Sequence, residues 1–86
     1  MKLDIYNDIA VITSALADLA IKRSRKVTVG RDYVYCEHFQ AYVYDDHVWA
    51  CVPEKNGTSL TLQSREPVEI CRSLESVFIE PFDKWK

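Results

Sequence analysis

The chain has 86 residues and a mass of 10.0 kDa, and 48% of its residues are hydrophobic while 28% are charged. A chain of this length holds one hydrophobic core, so we expect a single domain over residues 1–86. Eleven Lys and Arg against thirteen Asp and Glu give a formal net charge of −2. These values exclude an intrinsically disordered chain and a protein held on nucleic acid by bulk positive charge.

The first predicted element is an amphipathic helix over about residues 4–25. Its apolar residues recur at spacings of three and four, which is the period of one helix face: Ile5, Ile9, Ile12, Leu16 and Leu19. Acidic side chains near the start and basic side chains near the end match the helix dipole. One face of this helix is therefore expected to lie on a core.

A second apolar shoulder widens the helix surface beyond the usual stripe. It consists of Tyr6, Ala10, Ala17 and Ile21. In one interpretation the sheet and the C-terminal residues wrap around this shoulder. In the other the shoulder meets a second copy of the chain, because small residues permit the close approach of a partner helix. The second interpretation predicts a homodimeric structural subunit.

After Lys26 the apolar period changes to two, which indicates strands. β-Branched and aromatic runs predict strands at about 26–29, 33–36, 39–44, 47–52, 58–63, 68–71 and 76–80. Asn56-Gly57 is a strong hairpin signal, because both central positions of a type I′ turn need a positive φ. Short connections favour antiparallel pairing of sequential strands. The sequence predicts an α+β fold with one N-terminal helix on a twisted antiparallel sheet of five or six strands, with a partial barrel as the alternative.

A two-residue turn at Asp45-Asp46 would place Tyr42 opposite Trp49 and Tyr44 opposite His47. One face of this hairpin is then aliphatic: Phe39, Ala41, Val43, Val48, Ala50 and Val52. The other face is aromatic and polar, with His38 beyond it and two leucines added through the next turn: Gln40, Tyr42, Tyr44, His47, Trp49, Cys51, Leu60 and Leu62.

The aromatic side of the hairpin admits two explanations. It either folds inward as a second small core with its polar tips at the rim, or it stays exposed as a recognition surface. A chain of 86 residues has too few residues to cover both faces of a sheet with other elements. We therefore expect part of this face to be exposed and to bind a partner protein through Tyr42, Tyr44, His47 and Trp49.

No catalytic or metal-binding motif stands out in the chain. Cys36, His38, His47 and Cys51 have ligand types that suit zinc, but their spacing is not that of a zinc knuckle. Cys51 with His38 is the one plausible nucleophile pair, and neither a phosphate-binding glycine loop nor a G-x-S-x-G motif occurs. We expect no enzymatic activity, no cofactor and no bound metal.

The charges are unevenly distributed along the chain. Five basic residues lie close together without an acid among them, namely Lys22, Arg23, Arg25, Lys26 and Arg31. These residues have two interpretations. They either balance the negative end of the helix dipole, or they form the phosphate-contacting surface of a nucleic-acid-binding module. The predicted aromatic face contains no basic residue, so the nucleic-acid alternative ranks below protein binding.

Three widely spaced cysteines and an N-terminus without a signal-peptide pattern favour the cytoplasm. No apolar run reaches the ~18 residues that a membrane span needs, so no membrane association is expected. The sequence thus predicts a small, non-catalytic, cytoplasmic protein that binds another protein. We expect a regulatory or inhibitor protein, of the kind that phages and other mobile elements carry as accessory proteins.

Overall fold

A computed structural model describes residues 4–52 and 59–80, and for residues 4–7 it describes the backbone alone. Helix α1 spans Asp4–Arg23, which confirms the predicted N-terminal helix. The five strands that follow are β1 (Thr28–Val29), β2 (Tyr33–Tyr35), β3 (Gln40–Val43), β4 (Val48–Cys51) and β5 (Ser59–Leu62). A second helix, α2 (Pro67–Leu74), continues into a π-helical segment, Glu75–Ile79.

The strands form one antiparallel sheet in the order β1-β2-β3-β4-β5, so each strand pairs with its neighbour in sequence. Short connections favour this arrangement, because only antiparallel strands can be joined by tight turns. The α+β fold class is confirmed. The described strands form an open sheet with β1 and β5 at its edges, and the alternative of a partial barrel is not seen.

The predicted pairing of β3 with β4 is correct. Tyr42 lies opposite Trp49, and the Tyr44 backbone N–H donates to the His47 carbonyl at 2.8 Å across the Asp45-Asp46 turn. Because side chains alternate along a strand, this register sends every second residue of both strands to the same side of the sheet. The aliphatic side of the hairpin is the inner face of the sheet, since Ala41 and Ala50 are fully buried there.

The core lies between that inner face and a layer made by the helices. The strands contribute Val34, Ala41, Val43, Val48 and Ala50, none of them more than 2% exposed. The helical layer and the turn before β3 contribute the larger buried side chains, which are Ile12, Leu16, Phe39, Ile70, Leu74, Phe78 and Ile79. The small alanines in the centre of the sheet leave room for these larger side chains.

The predicted strands at 68–71 and 76–80 are wrong, because this region is helical. Pro67 begins α2, where its missing N–H costs nothing and its fixed φ suits the first turn. Ile70, Leu74 and Phe78 recur every four residues and are at most 5% exposed, whereas Val68 is 67% exposed. The β-branched residues suggested strands, but a strand would also bury Arg72 and Ser76, which are exposed, whereas a helix buries every fourth residue and leaves these two in solvent.

Helix α2 runs beside α1 in the same direction. Arg65, just before α2, approaches Asp8 near the start of α1, with 4.0 Å between Nε and Oδ2. Glu75, just after α2, pairs with Arg23 in the last turn of α1 at 2.6 Å. The two helices therefore form one layer over the inner face of the sheet.

The position of β5 also differs from expectation. Leu60 lies opposite Ala50 and Leu62 opposite Val48, so both leucines belong to the inner face and not to the aromatic one. A two-residue turn at Asn56-Gly57 would have placed Cys51 opposite Leu62, and the observed register differs from that by an odd number of residues. An odd shift moves every side chain to the other face. The Asn56-Gly57 pair itself lies outside the described residues.

Candidate functional site

The outer face of the sheet carries a group of aromatic side chains from three adjacent strands. Strand alternation places them there, since the residues between them are buried on the inner face. We call this group the aromatic face, and its members are Tyr33, Tyr35, Tyr42, Tyr44, His47 and Trp49. The β3–β4 members follow from the sequence prediction, whereas Tyr33 and Tyr35 of β2 were not predicted to belong to this face. The alternation of Tyr-Val-Tyr around a buried Val34 is the signal that could have revealed them.

Four rings of the aromatic face contact one another in a continuous series: Tyr33, Tyr35, Tyr42 and Trp49. Tyr42 is central, with ring centroids 6.4 Å from Tyr33, 5.8 Å from Tyr35 and 5.8 Å from Trp49. Tyr33 and Tyr35 are 5.1 Å apart. These separations lie in the range where aromatic pairs attract each other beyond simple area burial. The rings therefore hold each other in place.

The hydroxyl groups of Tyr35 and Tyr42 are 2.6 Å apart and share a hydrogen bond. This hydrogen bond raises the pKa of Tyr42 to about 12, and partial burial acts in the same direction. The ordinary value is 10.0, so the Tyr42 phenol stays neutral over a wider pH range. The centre of the aromatic face is therefore uncharged, while its hydroxyl groups remain able to hydrogen-bond.

A histidine and a tyrosine extend the aromatic face to the β3–β4 turn. Tyr44 and His47 are stacked with centroids 4.7 Å apart and an interplanar angle of 24°. His47 Nδ1 lies 2.6 Å from Asp46 Oδ1, and this contact lowers the pKa of the Asp46 carboxyl group. Asp46 thus orients the imidazole ring and places a negative charge at the rim.

The aromatic face is partly accessible in the described part of the chain. Tyr44 is 45% exposed, and the other members are half-buried, chiefly against one another. Helices α1 and α2 lie on the opposite side, so neither of these described helices covers the rings. The remaining outer-face positions of β3 and β4, Gln40 and Cys51, are uncharged, and the Cys51 thiol donates to Gln40 Oε1 at 3.9 Å.

The helix shoulder predicted for a homodimer does not form one exposed surface. Ala17 is only 9% exposed and belongs to the core, so its prediction as a contact residue is wrong. Ala10 is exposed and Ile21 is 62% exposed, whereas the Tyr6 side chain lies outside the described residues. Ala17 belongs to the same buried cluster as Leu16 and Ala20, which removes it from the surface.

The five basic residues do not form one patch. Arg23 is paired with Glu75, and the Arg25 backbone N–H donates to Glu37 Oε1 at 2.7 Å. Arg31 lines a cavity with Ile9 and Ala10 near the first half of α1, whereas Lys22 and Lys26 lie near its end. A helix rises 1.5 Å per residue, so roughly 20 Å of helix separates Ile9 and Ala10, beside Arg31, from Lys22. The prediction that Arg31 joins the others is wrong.

The residues considered for zinc or nucleophilic chemistry lie in separate places. Cys36 and His38 are buried at 8% exposure each, and His38 Nδ1 is 2.9 Å from Ser24 Oγ just beyond α1. His47 and Cys51 are on the outer face. His38 was expected near the aromatic face, but the turn between β2 and β3 directs its side chain toward the end of α1. There it ties the helix to the sheet.

Neither described helix is both long and apolar enough to cross a membrane. Among the described residues, no group of three or more His, Cys, Asp or Glu side chains is arranged to hold a metal ion. Comparisons with protein-family models, with curated proteins and with solved structures find no match to this chain.

Proposed function

We propose that this protein acts without catalysis, by binding another protein through the aromatic face. The observation that carries the proposal is the continuous contact of tyrosine and tryptophan rings across β2, β3 and β4, on the side of the sheet away from the described helices. Tyrosine and tryptophan are enriched among the residues that dominate binding energies in protein interfaces. Their placement on a sheet holds them rigid, which lowers the entropy lost on binding.

The chemistry of the face favours a protein over a nucleic acid. Binding to single-stranded nucleic acid combines stacked bases with basic groups that contact phosphates. The aromatic face has no Lys or Arg among its members, and Asp46 places a negative charge at its rim. Near the end of α1, the Arg23 guanidinium is already paired with Glu75, and the Glu37 carboxylate accepts a hydrogen bond from the Arg25 backbone N–H. A partner with exposed apolar groups and a basic margin matches this surface better.

We propose that Tyr42 and Trp49 anchor the partner at the centre of the contact. Their rings are half-buried already, and burial of the remainder would release water from apolar surface. The hydroxyl groups of the neighbouring tyrosines would satisfy polar groups of the partner, so that few are left unpaired. The acidic rim would steer a basic margin of the partner during encounter.

The proposal extends to a regulatory or inhibitory role in the cytoplasm. Three free thiols that are far apart in the sequence support a reducing compartment, where disulfides are rare. A small domain whose sheet presents aromatic side chains on its outer face suits a protein that acts by occupying a surface of its target.

A binding experiment with matched variants tests the proposal. Tagged wild-type protein, Tyr42→Ala, Trp49→Ala and the control Val68→Ala are compared for capture of proteins from host lysate, with nuclease and at two salt concentrations. Val68 is 67% exposed on α2, away from the aromatic face. We expect a captured protein that both aromatic variants lose and that Val68→Ala retains. Truncation of a central anchor costs about 2 kcal/mol or more, which is roughly 30-fold in affinity.

The result that would overturn the proposal is equal capture by all four proteins. Circular dichroism and thermal unfolding must show that the variants remain folded. Capture that disappears with nuclease or falls steeply with salt would instead indicate the nucleic-acid alternative, carried by Lys22, Arg25 and Lys26.

A further inference from the structure

Strand β5 forms one edge of the sheet, and no other described strand pairs with its outer side. An edge strand presents a row of unpaired backbone N–H and C=O groups, which can pair with a strand from another chain. The hydrogen bonding of the sheet shows which residues of β5 present these groups. Their positions decide what β5 can bind.

The direction of the backbone groups follows from the β3–β4 hairpin. The bond from Tyr44 N–H to the His47 carbonyl marks these two residues as a hydrogen-bonded pair. The direction in which the backbone N–H and C=O groups point alternates from residue to residue along a strand. His47 directs these groups toward β3, so Ala50, three residues further along, directs its own toward β5. Ala50 is opposite Leu60, whose backbone groups therefore bond inward to β4. The backbone groups of Thr61 consequently point outward, away from the sheet.

The two edges of the sheet differ in how they are protected. Strand β1 has only two residues and is flanked by Lys26 and Arg31, which discourages pairing with another chain. Strand β5 reads Ser-Leu-Thr-Leu, with neither a charge nor a proline among its residues. Its leucines on the inner face are half-buried, so apolar surface reaches this edge of the sheet. This is the edge that a second strand would extend.

We propose that β5 pairs in antiparallel fashion with β5 of a second copy of this chain. A twofold axis normal to the sheet passes beside Thr61, so that Thr61 lies opposite its own counterpart and Leu60 lies opposite Leu62 of the second copy. This register matches outward-pointing backbone groups with each other and keeps apolar side chains on the inner face. It also pairs Ser59 with Gln63, the exposed residue that follows β5.

The dimer joins two sheets into one. The axis normal to the sheet keeps the inner faces on one side, where the leucines of the two copies cover each other. Both aromatic faces then lie on the opposite side of the same sheet. The pairing itself does not depend on what those faces bind, but it would present any ligand of the aromatic face with two sites.

Oppositely charged variants at Thr61 test the pairing. Thr61 is exposed, and cross-strand neighbours at this position lie about 5.5 Å apart, so like charges repel and opposite charges attract. In sedimentation measurements we expect wild-type protein to dimerise as its concentration rises to about 1 mM. Thr61→Lys and Thr61→Glu should each remain monomeric, and a mixture of the two should form a heterodimer.

Thr28→Lys is the matched control, because Thr28 is an exposed threonine on the outer face of the opposite edge strand. This variant should dimerise like the wild type. Hydrogen exchange on the wild-type protein gives a second measurement without mutation. We expect exchange of the Thr61 amide to slow as concentration rises, whereas the Leu60 and Leu62 amides are protected at every concentration. A wild-type protein that stays monomeric, or a dimer that Thr28→Lys disrupts and Thr61→Lys does not, would overturn the proposal.

Discussion

Tyr42 is the residue on which the aromatic face is centred. It contacts rings on both sides and shares a hydrogen bond with Tyr35. If both phenols lost their protons, the hydrogen bond would be lost and two negative oxygens would lie 2.6 Å apart, so the Tyr42 phenol keeps its proton to a higher pH in the folded protein. The arrangement therefore links the packing of the face to the protonation state of one hydroxyl group.

The pKa of Tyr42 predicts a pH dependence of stability at high pH. Its pKa is about 12 in the folded protein against 10.0 ordinarily, so the unfolded chain loses this proton first. The stabilising contribution is fully present below pH 10.0 and is lost as the pH rises toward about 12. Absorbance titration of the wild type against Tyr42→Phe isolates the Tyr42 phenol. We expect the Tyr42 phenol to titrate with a midpoint near 12 in the otherwise unchanged protein, and with a midpoint nearer 10.0 in Tyr35→Phe.

A Tyr42 midpoint that is the same in Tyr35→Phe and in the wild type would contradict this explanation. It would mean that burial, and not the hydrogen bond, determines the pKa. Tyr44→Phe serves as the control, because Tyr44 stacks on His47 and does not take part in the hydroxyl pair.

At the scale of secondary-structure elements, the C-terminal region shows how a short run of apolar residues can form a helix although its residue types favour a strand. Its β-branched residues favour a strand, in which Val77 and Ile79 would share one face and Phe78 would lie on the other. The π-helical segment instead buries both Phe78 and Ile79, at 5% and 0% exposure, and leaves Val77 41% exposed. Phe78 also packs on Phe39, with ring centroids 6.4 Å apart.

Truncation of neighbouring residues in this segment tests its conformation. Phe78→Ala removes a buried ring from the core and should reduce the free energy of unfolding by about 3–5 kcal/mol. Val77→Ala changes an exposed side chain and should cost less than about 1 kcal/mol. Urea denaturation of the two variants and the wild type measures both values. A larger loss for Val77→Ala than for Phe78→Ala would support a strand and contradict the helical segment.

The whole molecule consists of two layers with unlike outer surfaces. In the helical layer, a charged residue of α1 pairs with one of the C-terminal region, as Arg23 does with Glu75. The sheet presents uncharged rings on its other side. This division explains how a chain with a net charge of only −2 and 48% hydrophobic residues keeps an aromatic surface apart from its charged helical layer. It also separates the three cysteines among three environments.

Alkylation of the cysteines reports on this layered arrangement. Cys36 is 8% exposed in the core and should react only when the protein unfolds. Cys51 lies on the outer face, and Cys71 lines a groove between the helices with Ala15 and Val68. Burial raises the pKa of the Cys71 thiol, with a smaller contribution from Glu75. Its thiolate fraction, and hence its rate, should be low at pH about 8 and rise with pH.

Peptide mass spectrometry after timed exposure to iodoacetamide measures the three rates, with denatured protein as the control in which all three residues react. Native modification of Cys36 as fast as that of Cys51 would contradict the described core. Once a partner is identified, its binding should protect Cys51 and leave Cys71 unchanged.

The sequence by itself determined the elements whose signals are local. The helix of α1 follows from a sustained apolar period and matching end charges, and the β3–β4 pairing follows from alternation on both sides of a short turn. Tyr42, Tyr44, His47 and Trp49 could therefore be placed on one face in advance. Their neighbours in β2 were within reach, because Tyr33 and Tyr35 alternate around Val34 in the same way.

Only the tertiary structure decided the rest. Whether Ile70, Leu74 and Phe78 formed strands or a helix depended on the space left beside α1, and the buried position of Ala17 depended on the same packing. The face of Leu60 and Leu62 depended on a register set beyond their own strand. In each case the local preferences were nearly balanced, and the burial of apolar surface between layers, a property of the whole chain, selected the outcome.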